Sequence, residues 1–187
     1  MSTRGIYGFY RTGITKASYN HSDSYPSWLG ANLVNELEDI TDQQLKDVFD
    51  KIIMVEEGDI PDRQIFFDEL MKLDFLNLEE EDYTGDWYNA LRAVQGKITP
   101  FFNGLKYMTD CHDFFNSYSC EYVYIINLDT MELEYYVGGV KEYPKNRYTK
   151  SKEECGCKLV CKIPISEIRK SPDKIIKKME ELEDLDV

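Results

Sequence analysis

Tyr122-Val123-Tyr124-Ile125-Ile126, the turn Asn127-Leu128-Asp129-Thr130, and then Leu133-Glu134-Tyr135-Tyr136-Val137 form the stretch that decides the fold. Two runs of β-branched and aromatic residues flank a cluster of turn formers, so the chain doubles back as a β-hairpin. Residues 158–163 add a third strand to that group. At the other end, Arg4-Gly5-Ile6-Tyr7-Gly8-Phe9-Tyr10 repeats the pattern, Arg11-Thr12-Gly13 supplies a turn in which Gly accepts positive φ, and residues 14–19 resume the strand. Between the hairpins the period changes from two to three and four. Leu29, Leu33, Val34 and Leu37 make one helical stripe, and Thr41 caps a second with Leu45, Val48, Phe49 and Ile52. Pro61 opens a third helix with Ile65, Phe66, Leu70 and Leu73. Residues 79–82 form an acidic turn, residues 87–94 a further helix, and residues 107–115 a short one. Ile168, Ile175, Ile176 and Met179 face inwards on a terminal helix that Pro172 divides.

Hairpins at both ends with helices between predict an α+β fold: an antiparallel or mixed sheet from the N-terminal and C-terminal hairpins, covered by helices from the middle of the chain. The 187 residues suit a single domain, 1–187, and no internal repeat or long linker divides them. A doubly wound parallel sheet fits worse, because the strands cluster in hairpins and no glycine-rich phosphate loop succeeds a strand.

Composition narrows the class. No stretch approaches the roughly 20 apolar residues of a bilayer span, and the first ten residues lack the apolar core of a secretory signal, so a soluble chain with no membrane partner is expected. Cys111, Cys120, Cys155, Cys157 and Cys161 are an odd set without scaffold spacing, which points to free thiols and the cytoplasm. Cys155-Gly156-Cys157 with Cys161 has half the look of a zinc site that Cys111-His112 would complete, but the spacing departs from paired knuckles; no metal and no cofactor are expected. Trp28, Trp87, Tyr88, Phe101 and Phe102 read as core aromatics, with few cations beside them to follow a phosphate backbone.

The net charge of −13 is unevenly spread: residues 36–86 hold 18 acids against 4 bases, a net −14, while residues 141–178 hold 12 bases against 5 acids, a net +7. Direct nucleic-acid binding is disfavoured by that balance. A solvated acidic face is one reading. The sharper one is an acidic interaction protein that meets and modulates a basic protein partner, of nucleic-acid-handling or defence type, with Glu79, Glu80, Glu81 and Asp82 at the contact.

The densest polar constellation is Thr3-Arg4 together with Asn20-His21-Ser22-Asp23-Ser24. A hairpin turning at Gly13 lays these segments side by side. An active pocket there would use Arg4 to fix an anionic group, His21 oriented by Asp23, and a hydroxyl from Thr3 or Ser24. A capping network, with Asp23 and Ser24 holding the turn and His21 bonded inside it, is the competing reading. Asp110, His112 and Asp113 read as a solvated helix end, and no GxSxG elbow, HExxH, Walker loop or kinase set is present.

Thr3-Arg4-Gly5-Ile6-Tyr7-Gly8-Phe9, then Tyr19-Asn20-His21-Ser22-Asp23-Ser24-Tyr25-Pro26 and Leu29-Gly30, resembles the opening of an uncharacterised family of bacterial and phage proteins. The likeness covers about the first 30 residues, with the hairpin around residue 129 also similar. It implies a phage or mobile-element origin and brings no assigned activity. A second resemblance is to N-terminal-nucleophile hydrolases, in which a hydroxyl or thiol residue at the chain start attacks an amide and its own α-amine acts as base. It implies a small hydrolase with Ser2, exposed by removal of Met1, or Thr3 as nucleophile.

Overall fold

The computed structural model of the protein describes residues 3–141, 145–149 and 155–183. Among these, the strands are β1 (Gly5–Arg11), β2 (Ile14–Asn20), β3 (Ile53–Val55), β4 (Tyr107–Thr109), β5 (Tyr122–Asn127), β6 (Glu132–Val140) and β7 (Gly156–Pro164). Five of them make a sheet in the order β2-β1-β5-β6-β7, and β3 and β4 make a separate parallel pair. Both expected hairpins form, β1 with β2 and β5 with β6, and β7 joins antiparallel to β6. The sheet is mixed because the hairpins meet through β1 and β5, which run parallel from Gly5 opposite Tyr122 to Tyr10 opposite Asn127. A parallel pair needs a long crossover, and here the whole helical middle supplies it.

The β1–β2 turn has two residues, Thr12 at φ 47° and Gly13 at φ 85°, between paired Arg11 and Ile14. That geometry matches the right-handed twist of the strands, but it suits Gly at both positions and strains a β-branched Thr. The Asp129 carboxylate offsets part of the strain by accepting from the Thr12 N–H at 2.9 and 3.1 Å.

Strand alternation sends Tyr7, Phe9, Tyr124, Ile126, Leu133 and Tyr135 to the helical face, where they join the larger core. The helices of that face are α1 (Ala31–Leu37), α2 (Asp42–Lys51), α3 (Arg63–Ile65), α4 (Trp87–Leu91), α5 (Thr99–Phe102), α6 (Ile165–Lys170) and α7 (Pro172–Glu183). Thr41 caps α2 as expected, in a reciprocal box with Gln44. Glu36 accepts from the backbone N–H of Ile98 and Thr99 at 2.6 and 2.8 Å, holding the start of α5. Ile6, Val123, Ile125 and Tyr136 point the other way into a smaller core, covered by a 3₁₀ turn, His112–Asn116, and by residues 145–149. There Phe115 stacks on Tyr148 at 4.4 Å and 8°.

Several local expectations are corrected. Pro61 is buried just before the N-cap Asp62, and the expected third helix breaks into α3, a wider turn at Phe66–Leu70 and a 3₁₀ turn at Asp74–Leu76. Residues 107–115 are β4 and then the 3₁₀ turn instead of one helix, because Tyr107, Met108 and Thr109 pair with Ile53, Met54 and Val55. Trp28 is 60% exposed, whereas Trp87 and Phe101 are in the core. No helix among the described residues is long and apolar enough to cross a membrane.

Candidate active site

Antiparallel pairing fixes the open end of the first hairpin. Gly5 faces Asn20 across the strands, and the Ser24 N–H donates to the Thr3 carbonyl at 3.2 Å, so the segments around Arg4 and His21 are spatial neighbours. Gly5 is required there: a Cβ would lie 2.7 Å from that of Ser24 and 2.6 Å from the Tyr122 carbonyl oxygen. Asn20, itself buried, shapes the loop by donating from Nδ2 to the Ser22 carbonyl at 2.6 Å and to Ser24 Oγ at 2.8 Å. Asp23 sits in the left-handed region at φ 55°, a conformation Asp tolerates.

Thr3 and Ser24 are buried and line neither cavity found at this end of the hairpin. In this position both brace the loop on which His21 stands. Met1 and Ser2, the start an N-terminal nucleophile would need, lie outside the described residues.

Arg4 and His21 do line one cleft, of about 770 Å³. Tyr19, at the end of β2, forms its aromatic wall, with its ring edge-on to Phe114 at 5.0 Å and His21 at 5.9 Å, and tilted against Tyr88 at 6.4 Å. Its hydroxyl lies 3.0 Å from His21 Nδ1, a bond that helps to orient this imidazole. Asp23, expected to orient His21, shares with it a smaller adjoining cavity of about 240 Å³ that Trp28, Arg92 and Lys97 also line; His21 belongs to both cavities.

The remaining wall comes from the parallel pair. Because β3 and β4 run the same way, their carboxyl ends deliver side chains to one place: Glu56 and Glu57 after β3, and Asp110, His112 and Asp113 after β4. Ser18 on β2 bonds Thr109 on β4 through their hydroxyls at 2.6 Å, which ties this pair to the hairpin. The His112 N–H donates to the Asp110 carboxylate at 2.8 Å, and Phe115, three residues on, anchors the turn in the smaller core. Both histidines of the chain thus border the same cleft. The sequence reads His112 as part of a solvated helix end and does not single out Glu57, because their placement depends on the pairing of two three-residue strands; the pointer available was that only two histidines exist.

Burial raises the Glu57 carboxyl above its ordinary range, and the like charge of Asp86 adds to the rise. Burial likewise raises the Tyr19 phenol, with Arg4 pulling it back and Tyr88 and Glu57 pushing it further up. Cys111 also borders the cleft, but its sulfur donates to the Ala17 carbonyl at 3.3 Å, and burial, then the Cys120, Asp110 and Glu57 charges, raise its thiol well above the ordinary value. It stays protonated and unreactive. The cleft therefore offers two imidazoles, a carboxyl of raised affinity for protons and one guanidinium, a set suited to acid–base work on a polar molecule.

The other sequence candidates lie elsewhere. Glu79, Glu80, Glu81 and Asp82 are all exposed, on and just before a 3₁₀ turn, Glu80–Thr84, that Tyr83 pins against Phe66 and Phe67 at 5.5 and 5.4 Å. All five cysteines are free thiols; Cys155 donates to the Asn116 carbonyl at 2.8 Å, and burial pushes Cys157 up to about 11. Among the described residues, no group of three or more His, Cys, Asp or Glu is placed to hold a metal ion.

Fold and site together define an α+β protein with a polar, histidine-lined cleft where a hairpin meets a short parallel pair. Comparison with protein-family models, with curated proteins and with solved structures gives no match.

Proposed function

We propose that the chain is a small hydrolase or ligand-binding enzyme that acts on a small polar molecule held in this cleft. The observation that supports the reading is the convergence of Arg4, His21, His112 and Glu57, from four separate stretches of chain, on one cavity of a size usual for small-molecule sites. In this reading Arg4 fixes an anionic group. An imidazole, His21 or His112, takes a proton from an attacking water, and Glu57, whose proton is retained more strongly than usual, donates to the leaving group. Thr3, Asn20 and Ser24 are positioning residues. The test is hydrolysis of a panel of chromogenic esters and amides by the wild type, His21→Ala and His112→Ala. A loss of roughly 100-fold in kcat/KM in each variant is expected; a hydrolysis rate that neither substitution changes overturns the acid–base reading.

A second reading is an acidic interaction protein that binds and modulates a basic partner of nucleic-acid-handling or defence type. It is favoured by the solvent exposure of Glu79, Glu80, Glu81 and Asp82, side by side on one turn. Its test is whether binding to candidate nucleases or defence effectors falls when these four are neutralised; unchanged binding removes it. Both readings include a cytoplasmic setting, supported by five free thiols of which four are buried.

A further inference from the structure

We infer that the cleft takes a small zwitterion, a molecule with a primary ammonium and a carboxylate separated by a short skeleton, as in a free amino acid or a short peptide. This rests on the reading of the cleft as a ligand site and names the class of ligand.

The inference stands on how the topology sorts charge. From the hairpin side, the start of β1 and the end of β2 bring a guanidinium, Arg4, and an imidazole, His21. From the side of the parallel pair, the carboxyl ends of β3 and β4 bring carboxylates: Glu56 and Glu57 from one, Asp110 and Asp113 from the other. Arg92 stands over the Tyr88 ring at 5.5 Å and lines the smaller cavity that shares His21, where it and Lys97 outweigh the carboxylate of Asp23 and leave positive charge on the hairpin side.

Tyr19 lies where the two sets meet. Beyond the effect of burial, its hydroxyl feels Arg4 and Arg92 in one direction and Tyr88 and Glu57 in the other. A ligand with only a positive charge would leave the guanidinium unanswered, and one with only a negative charge would face Glu56, Asp110 and Asp113. A molecule carrying both satisfies both sets, and its skeleton lies along Tyr19, Tyr88 and Phe114. The volume of about 770 Å³ leaves room for a side chain beyond the charged ends.

The experiment tracks the imidazole NMR signals, two sets for two histidines assigned with His21→Ala and His112→Ala, during titration with five probes. These are glycine and glycylglycine, with both charges; glycinamide, with the ammonium alone; N-acetylglycine, with the carboxylate alone; and N-acetylglycinamide, with neither. The expected result is that a zwitterion shifts both imidazoles and binds about tenfold more tightly than either single-charge probe. Arg4→Gln should erase the advantage over glycinamide, and Glu56→Gln with Glu57→Gln should shrink the advantage over N-acetylglycine, in variants whose circular dichroism matches the wild type. Binding of glycinamide or N-acetylglycine within about twofold of the zwitterions overturns this inference and leaves the cleft as a ligand site. If none of the five probes moves either imidazole, the inference and the reading of the cleft fall together.

Discussion

Glu134, on the second face of the main sheet, and Glu57, in the cleft, are both carboxylates drawn partly out of water, and their surroundings push them in opposite directions. Glu134 is fully buried; Asn127 donates to one of its oxygens at 2.9 Å, Arg147 at 2.6 Å, and Lys162 lies 3.2 Å away, while Tyr136 donates to the other at 2.8 Å. Burial alone would raise it, but the Asn127 and Tyr136 hydrogen bonds, the Arg147 charge and Lys162 outweigh burial, so its affinity for protons falls below the ordinary range. For Glu57 burial acts with the like charge of Asp86, and the affinity rises. One region uses charge to hold residues 145–149 against the sheet. The other gives Glu57 no ion-pair partner among the described residues, the kind of raised group that makes a functional-site candidate.

That contrast is open to direct attack. Glu134→Gln should have the largest effect, leaving Arg147 and Lys162 without their carboxylate and costing about 3 kcal/mol, read as a fall in urea midpoint. The sign with pH is fixed as well. A carboxylate with lowered affinity contributes stability above the ordinary carboxylate range and loses it as pH falls through its own lowered value, so the variant should lose part of the acid sensitivity of the wild type. A variant as stable as the wild type would mean that the second face does not depend on this charge.

Asn20→Ala should come next, at about 2 kcal/mol, because it strips two hydrogen bonds, one buried and one half-buried, from the loop beneath His21. Here the sharpening measurement is the imidazole spectrum, which should change at His21 and stay the same at His112. Thr12→Asn should raise stability by about 1 kcal/mol, since Asn accepts the φ of 47° that strains Thr, while the backbone bond to Asp129 is kept. A melting temperature that falls would disprove the strain. The smallest effect is expected for Glu57→Gln. A raised carboxyl favours folding when protonated and opposes it as pH rises through its folded value, so the variant should be slightly more stable than the wild type at pH 7 and no different near pH 3. Destabilisation at pH 7 would place Glu57 with Glu134, as a structural charge.

The sequence disclosed local structure better than it disclosed distant pairing. Both hairpins were legible because alternation in residues 5–19 and 122–137 flanks turn chemistry at Gly13 and Asn127. The parallel contact of β1 with β5 was not, since nothing near Arg4 indicates that Glu121, 117 positions on, will exchange hydrogen bonds with it. Ile53, Met54 and Val55 come directly after the apolar stripe of α2, and Tyr107, Met108 and Thr109 are too few to reveal an alternation. The candidate site divides the same way. The nearness of Arg4 to His21 stems from one turn, whereas the arrival of His112 and Glu57 waits on two short strands finding each other.

Phe115 carries a further consequence. Its ring lies flat against Tyr148 in the smaller core and edge-on to His112 at 5.8 Å, next to the cleft. That imidazole is thus shelved on a column of rings whose far member, Tyr148, lines no part of the cleft. Loosening Tyr148 would unsettle that imidazole without altering any residue that lines the cleft, a lever by which a change at the outer end of the column can be felt at its inner end.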